Sequence, residues 1–167
     1  MEPKITKMAA VKLAGFALKT STKDGKNFIE IPKFWQACMT DGRYEKLHGE
    51  SFLKNHNDYG VCFFDNPETD ELEYVFGVAV KDNHDIPDRY HVRIIPEALF
   101  AVFSSPSADD AGFPSAIQET WKFIYSEWLP HSEYEFDKNS FDYEFYDERS
   151  MNPAGKTCDI YIPVVKK

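Results

Sequence analysis

The sequence predicts an α+β fold built from a duplicated β-α-β-β unit. Antiparallel sheets, two covering helices and a pocket between the repeats follow from that duplication. Three observations carry this reading. The chain has 167 residues, the size of one domain and short for two. The order strand, helix, strand, strand is written twice, over about residues 1–82 and about residues 89–167, within a single domain spanning 1–167. Finally, Tyr59-Gly-Val-Cys-Phe-Phe-Asp65 aligns without gaps on Phe141-Asp-Tyr-Glu-Phe-Tyr-Asp147, aromatics falling on aromatics at both ends and Asp65 on Asp147. An internal repeat of about 80 residues implies pseudo-twofold symmetry, and the cleft between two such halves is a favoured place for ligands.

Each element has its own warrant. Residues 5–18 read as an extended strand in which Gly15 marks a bulge. Ile31-Pro32 opens a helix, because the missing N–H of proline costs nothing in a first turn. Ile31, Phe34, Trp35 and Cys38 then fall at i, i+3, i+4 and i+7, a single helical stripe, and Gly42 supplies the stop. Residues 59–64 and 72–80 are strands joined by the turn-rich stretch 65–70, and the polar run 82–88 closes the first copy. The second copy opens with a strand over 90–95, interrupted by Pro96 and resumed over 98–103. Ser115 with Gln118 spells a capping box. It precedes a helix that carries Ile117, Trp121, Ile124, Tyr125, Trp128 and Leu129 and is limited by Pro130. Residues 141–147 and 157–164 are the closing strands, separated by the turn-like stretch 152–155.

Composition excludes several function classes. Lys and Arg total 19 against 28 Asp and Glu, a formal charge of −9, and the basic residues are scattered. Affinity for DNA or RNA needs clustered cations that release counterions, so no nucleic-acid binding by this chain alone is expected. Hydrophobic residues make up 43% and aromatics 16% of the chain, enough for a full core. Mean hydropathy is nonetheless −0.50, so apolar side chains are sorted by position. No long apolar run follows Met1, which predicts neither signal peptide nor membrane anchor. Cys38, Cys62 and Cys158 form no C-x-x-C and are expected as free thiols in a cytoplasmic protein. His48, His56, His84, His91 and His131 lack metal-ligand spacing and read as scattered surface residues. Ser104-Ser105 sit in no nucleophile elbow, and there is no glycine-rich phosphate loop, so neither cofactor nor metal is expected. A homodimer is common enough among such proteins to be expected.

Aligning the two copies exposes one difference that bears on chemistry: where the first has Cys62, the second has Glu144. Strand side chains alternate, so Asp142, Glu144 and Tyr146 share one face while Phe141, Tyr143 and Phe145 share the other. Aromatics on both faces predict a central strand covered on both sides. A carboxylate there is costly unless it is paired or functional. The competing reading for Glu144 is a salt bridge, or exposure on an edge strand. Asp147 and Glu148 read as solvated turn acids within a charged surface run over 133–148. Trp35, Phe64, Trp121, Tyr125 and Tyr146 are the candidate ring contacts for a flat cation, since each ring face returns roughly 0.5–2 kcal/mol to a desolvated cation. The competing reading for every ring is ordinary core packing at helical spacing.

Three stretches together resemble one known family: residues 117–130, then Phe141-Asp-Tyr-Glu-Phe-Tyr-Asp147, then Asp159-Ile-Tyr-Ile-Pro-Val164. They are similar to the GyrI-like effector-binding domains, which include the ligand domains of AraC-type and MerR-type multidrug-responsive regulators and also free-standing copies. Over residues 1–80 the likeness rests on the Phe34-Trp35-Gln36 helix and the duplicated order. The resemblance implies a pocket between the repeats that binds diverse, often lipophilic and cationic, small molecules. It gives the role of pocket acid to Glu144, in Glu144-Phe145-Tyr146, and places Tyr161 in the pocket as well. The sequence departs from the regulators in showing no DNA-binding module. Non-enzymatic binding of amphiphilic cations is the first reading. The alternative is a hydrolase of strained small molecules with Glu144 as general base, assisted by Tyr146 or Tyr125. A protein-interaction module is the third, because other relatives inhibit DNA gyrase.

Overall fold

The computed structural model describes residues 1–137 and 141–167. The expected first strand is two: β1 (Lys4–Met8) and β2 (Val11–Ser21). Gly15 makes no bulge. It pairs in register with Gly77 on one side and His91 on the other, and a Cβ there would lie 1.9 Å from the Phe76 carbonyl oxygen. Close backbone approach, not curvature, requires glycine at this position.

Helix α1 (Lys26–Thr40) starts before Ile31, so Pro32 sits inside it rather than in its first turn. Pro32 lies on the exposed face, where water can take the backbone bond that its ring removes. Gly42 follows the end of α1 in the left-handed region at φ 87°, as a stop requires, and leads into a short helix, α2 (Arg43–His48). Strands β3 (Asp58–Phe63), β4 (Glu71–Ala79), β5 (His91–Ile95) and β6 (Ala98–Ser104) match expectation closely. The capping box does not form. Helix α3 (Phe113–Phe123) begins with Pro114 in its first turn, and the Ser115 hydroxyl donates instead to Glu119 at 3.5 Å. It continues through a π-turn at Ile124–Trp128 into Leu129–His131, passing Pro130. Then come β7 (Tyr134–Phe136), β8 (Phe141–Tyr146) and β9 (Asp159–Lys166).

The strands form one antiparallel sheet in the order β1-β6-β9-β8-β3-β4-β2-β5, with β7 added against β9. The order reads alike from either edge when β1, β2, β3 and β4 are matched with β5, β6, β8 and β9. It is compatible with a pseudo-twofold axis between β3 and β8. Sequence connectivity also dictates curvature. β1 lies at one edge and β2 next to the other, yet only Ala9 and Ala10 join them; Pro96 and Glu97 join β5 to β6 in the same way. Each link spans at most ~11 Å, so the sheet must curl until its edges approach.

Curling divides the core. Leu13, Tyr59, Val61, Val75, Phe100, Phe141 and Tyr143 pack together on the face away from the helices. On the helix face, α1 and α2 cover Ala14, Tyr74, Phe76 and Val78, while α3 and its extension cover Ala101, Phe103, Ile160 and Ile162. β8 is central, between β9 and β3, as the aromatics on both of its faces predict. The three thiols are unpaired. Among the described residues, no helix is long and apolar enough to cross a membrane.

Candidate functional site

The seam between the halves is the β3–β8 pair, in which Gly60 faces Glu144 and Cys62 faces Asp142. Alternation along β8 turns Asp142, Glu144 and Tyr146 toward the helices. Trp121 of α3 donates its indole N–H to Glu144 Oε1 at 2.7 Å, and the Tyr146 hydroxyl donates to Oε2. Tyr125, one turn beyond Trp121, donates its hydroxyl to Asp142 Oδ2 at 3.3 Å. The Trp121 and Tyr125 rings stack, with centroids 6.0 Å apart and planes 10° from parallel.

The first half closes the other side. The Trp35 ring of α1 lies 5.6 Å from Tyr146 and 4.2 Å from Phe76, and its N–H donates to the Tyr74 hydroxyl. Gly60 must be glycine for that packing, because a Cβ would meet the Tyr74 hydroxyl at 2.3 Å. Phe113 touches Tyr146 edge-on at 6.4 Å. Glu144, Tyr146, Trp121 and Tyr125 are therefore brought together, and Trp35 joins them through Tyr146.

Among the described residues, no Lys, Arg or His pairs with Asp142 or Glu144. Neither competing reading of Glu144 therefore describes its place: it has no salt bridge among the described residues, and its strand is not an edge. Burial pushes the Glu144 carboxyl up, against the hydrogen bonds from Tyr146 and Trp121. Burial likewise raises Asp142 to about 7, with the charge of Glu144 adding and bonds from Tyr125 and Cys62 opposing. The Cys62 thiol is pushed well above its usual range by burial and by both carboxylates, which makes it a poor nucleophile.

Two predicted ring contacts lie elsewhere. Tyr161 points to the opposite face of the sheet, stacked on Tyr143 at 4.6 Å and 9°, because β8 and β9 pair Tyr143 with Tyr161. Phe64 packs against the first-half core and lines a cleft of about 230 Å³ with Arg93, Pro96 and Phe141. A second cleft, of about 410 Å³, is lined by Lys19, Lys26, Phe63, Asn66 and Glu73. Glu144 lines neither cleft; around it, ring packs on ring.

Sequence reasoning also missed partners. Asp142 was legible as a same-face neighbour of Glu144, whereas Tyr74 enters only through cross-strand register. Asp147 is no solvated turn acid. It caps the 3₁₀ turn Glu148–Met151 and pairs with Arg149, which also binds Asp159. His48 and His56 are not scattered: His48 Nε2 lies 2.7 Å from Asp58, and the two Nδ1 atoms are 3.0 Å apart.

The family model of integron-associated effector-binding proteins, Cass2, matches residues 4–164. The chain belongs to that family. The GyrI-like resemblance read from the sequence is consistent with this Cass2 membership and with the solved structures of like fold. SAV2435 bound to tetraphenylphosphonium aligns over 99% of this chain and 94% of its own, at 19% identity and TM-score 0.81. A Vibrio cholerae integron cassette protein aligns over 98% of this chain and 96% of its own, at 14% identity and TM-score 0.55. The EcmrR C-terminal domain aligns over 99% of this chain and 98% of its own, at 15% identity and TM-score 0.51. At these identities the likeness speaks for the fold. No curated protein sequence matches this effector-binding protein. Family membership supports small-molecule binding.

Proposed function

We propose that this effector-binding protein is a single domain of two repeats that binds lipophilic cations over the β3–β8 seam. Glu144 supplies the charge, and Trp121, Tyr125, Trp35 and Tyr146 supply the walls. The observation that carries this reading is a carboxylate on a central strand, held by Trp121 and Tyr146, with no cationic partner among the described residues. SAV2435, bound to tetraphenylphosphonium, adds support from a chain of the same fold.

The physics favours such a guest. A cation about 4 Å from the carboxylate gains about 4 kcal/mol at an effective dielectric near 20, and each ring face adds roughly 0.5–2 kcal/mol. Aromatic walls accept many shapes, so the site reads charge sign and aromatic surface before detail. Entry parts the Trp121–Tyr125 stack, because an aryl ring of the guest between two rings needs ~7 Å and their centroids are 6.0 Å apart. Tyr125 is an exposed ring, at 45%, and is the one whose displacement would open the stack.

Saturable quenching of tryptophan fluorescence by tetraphenylphosphonium tests the reading, with neutral triphenylphosphine oxide as the control. Glu144→Gln is expected to weaken the cation by 10- to 100-fold and the neutral compound by less than threefold. Equal weakening of both refutes the electrostatic role.

A further inference from the structure

We infer that Asp142 is a second anchoring carboxylate and that the site takes guests carrying two positive centres about 7 Å apart. This rests on the reading of Glu144 given above and extends it to the class of ligand.

Spacing comes first. Residues i and i+2 of a strand point to one face about 6.7 Å apart. Asp142 and Glu144 are such a pair, on a strand whose register is fixed on both sides by β3 and β9. The same two stacked rings bracket them: Trp121 bonds Glu144 and Tyr125 bonds Asp142. A flat guest lying along that ring pair presents one end to each acid. Glu144 is the end bounded by Trp35 and Tyr146. Asp142 lies under Tyr125, the exposed ring.

Charge accounting follows. Among the described residues, the titratable groups facing Asp142 are Cys62 from β3, Tyr125 from the π-turn after α3, and Glu144 from its own strand; none of these is cationic. Burial, with the charge of Glu144 adding to it, disfavours ionising Asp142 beside an ionised Glu144 unless a counter-charge is present. A monocation answers Glu144 and leaves Asp142 protonated. A dication answers both: the O–H bond of Asp142 breaks, its electron pair stays on the carboxylate, and buffer takes the proton. With the Asp142 carboxyl at about 7, most copies hold that proton at pH 6.

The experiment is titration calorimetry of the full chain at pH 6 in buffers of different ionisation heat. The probes are p-xylylenediamine, its monocationic isostere 4-methylbenzylamine, and tetraphenylphosphonium. The expected result is at least tenfold tighter binding of the diamine than of the monoamine. Its buffer-dependent heat should report the release of close to one proton more than the monoamine's. Asp142→Asn should cut that preference to threefold or less and abolish the diamine's excess proton release over the monoamine, with circular dichroism reporting that the variant is folded. If diamine and monoamine bind alike while tetraphenylphosphonium still binds through Glu144, the second anchor is wrong and the proposed function stands. If tetraphenylphosphonium does not bind, both fall.

Discussion

Replacing Asp142 by asparagine should stabilise the folded chain, and only at higher pH. Asp142 is 6% exposed, so solvent screens it little. Its carboxyl moves from 3.8 to about 7, chiefly because burial disfavours the charge. The sign follows from linkage. Between those values the unfolded chain has lost this proton and the native chain still holds it, so stability falls as pH rises. The loss begins near pH 4 and is complete a little above pH 7. A rise of that size is worth about 4 kcal/mol as an upper bound, or about 10 °C in Tm for a chain of this size. Asparagine keeps the shape, offers an acceptor to Tyr125 and carries no charge. Melting curves of both proteins from pH 4 to pH 9 provide the assay, and the difference between them cancels the titrating groups that do not interact with Asp142. Nearly equal Tm values at pH 4, diverging toward pH 7 and parallel above it, are expected. A difference that stays flat across the range would mean that Asp142 is ionised and hydrated in the native state, which refutes the electrostatic account of the site.

Two stability predictions test the surrounding frame. Gly15→Ala forces a Cβ within 1.9 Å of the Phe76 carbonyl oxygen; overpacking against backbone should cost about 3 kcal/mol or more, read as a large fall in Tm or as loss of soluble protein. Arg149→Met leaves Asp147 and Asp159 without their shared cation. With the Arg149 side chain 43% exposed, the cost is about 1 kcal/mol after discounting for solvent. Burial works to raise the Asp147 carboxyl, yet the bond from Arg149 holds it below its usual value. That stabilisation is present above the normal carboxylate range and is lost as pH falls through the lowered value. The Arg149→Met penalty should therefore shrink in acid, and a penalty equal at pH 3 and pH 7 would overturn the pairing.

Periodicity revealed the strands of both halves because alternation over half-buried positions is a local property. The matching of residues 59–65 with 141–147 pointed to the seam strands before any pairing was known. What stayed hidden was set by tertiary context. Pro32 looked like a helix start because propensity says nothing about which face meets water. Ser115 looked like a cap, yet the helix begins earlier. β7 is three residues long, too short for any pattern. Tyr161 was assigned from a motif, and strand register alone sends it to the opposite face, against Tyr143.

The single charge at the seam also explains an asymmetry between the halves. Repeat matching aligns Cys62 with Glu144, but in space Cys62 faces Asp142 across the β3–β8 ladder. A glutamate at 62 would set two carboxylates directly opposite each other, about 4.5–5.5 Å apart at Cβ, where like charges destabilise the pair. With Glu144 two residues further along the same face, three acids would crowd one uncompensated patch. Cysteine relieves this: its thiol is small, stays protonated beside both acids, and can donate weakly to Asp142. The first half thus keeps the apolar member of the matched pair, and the second half carries the acids that a cationic guest would meet.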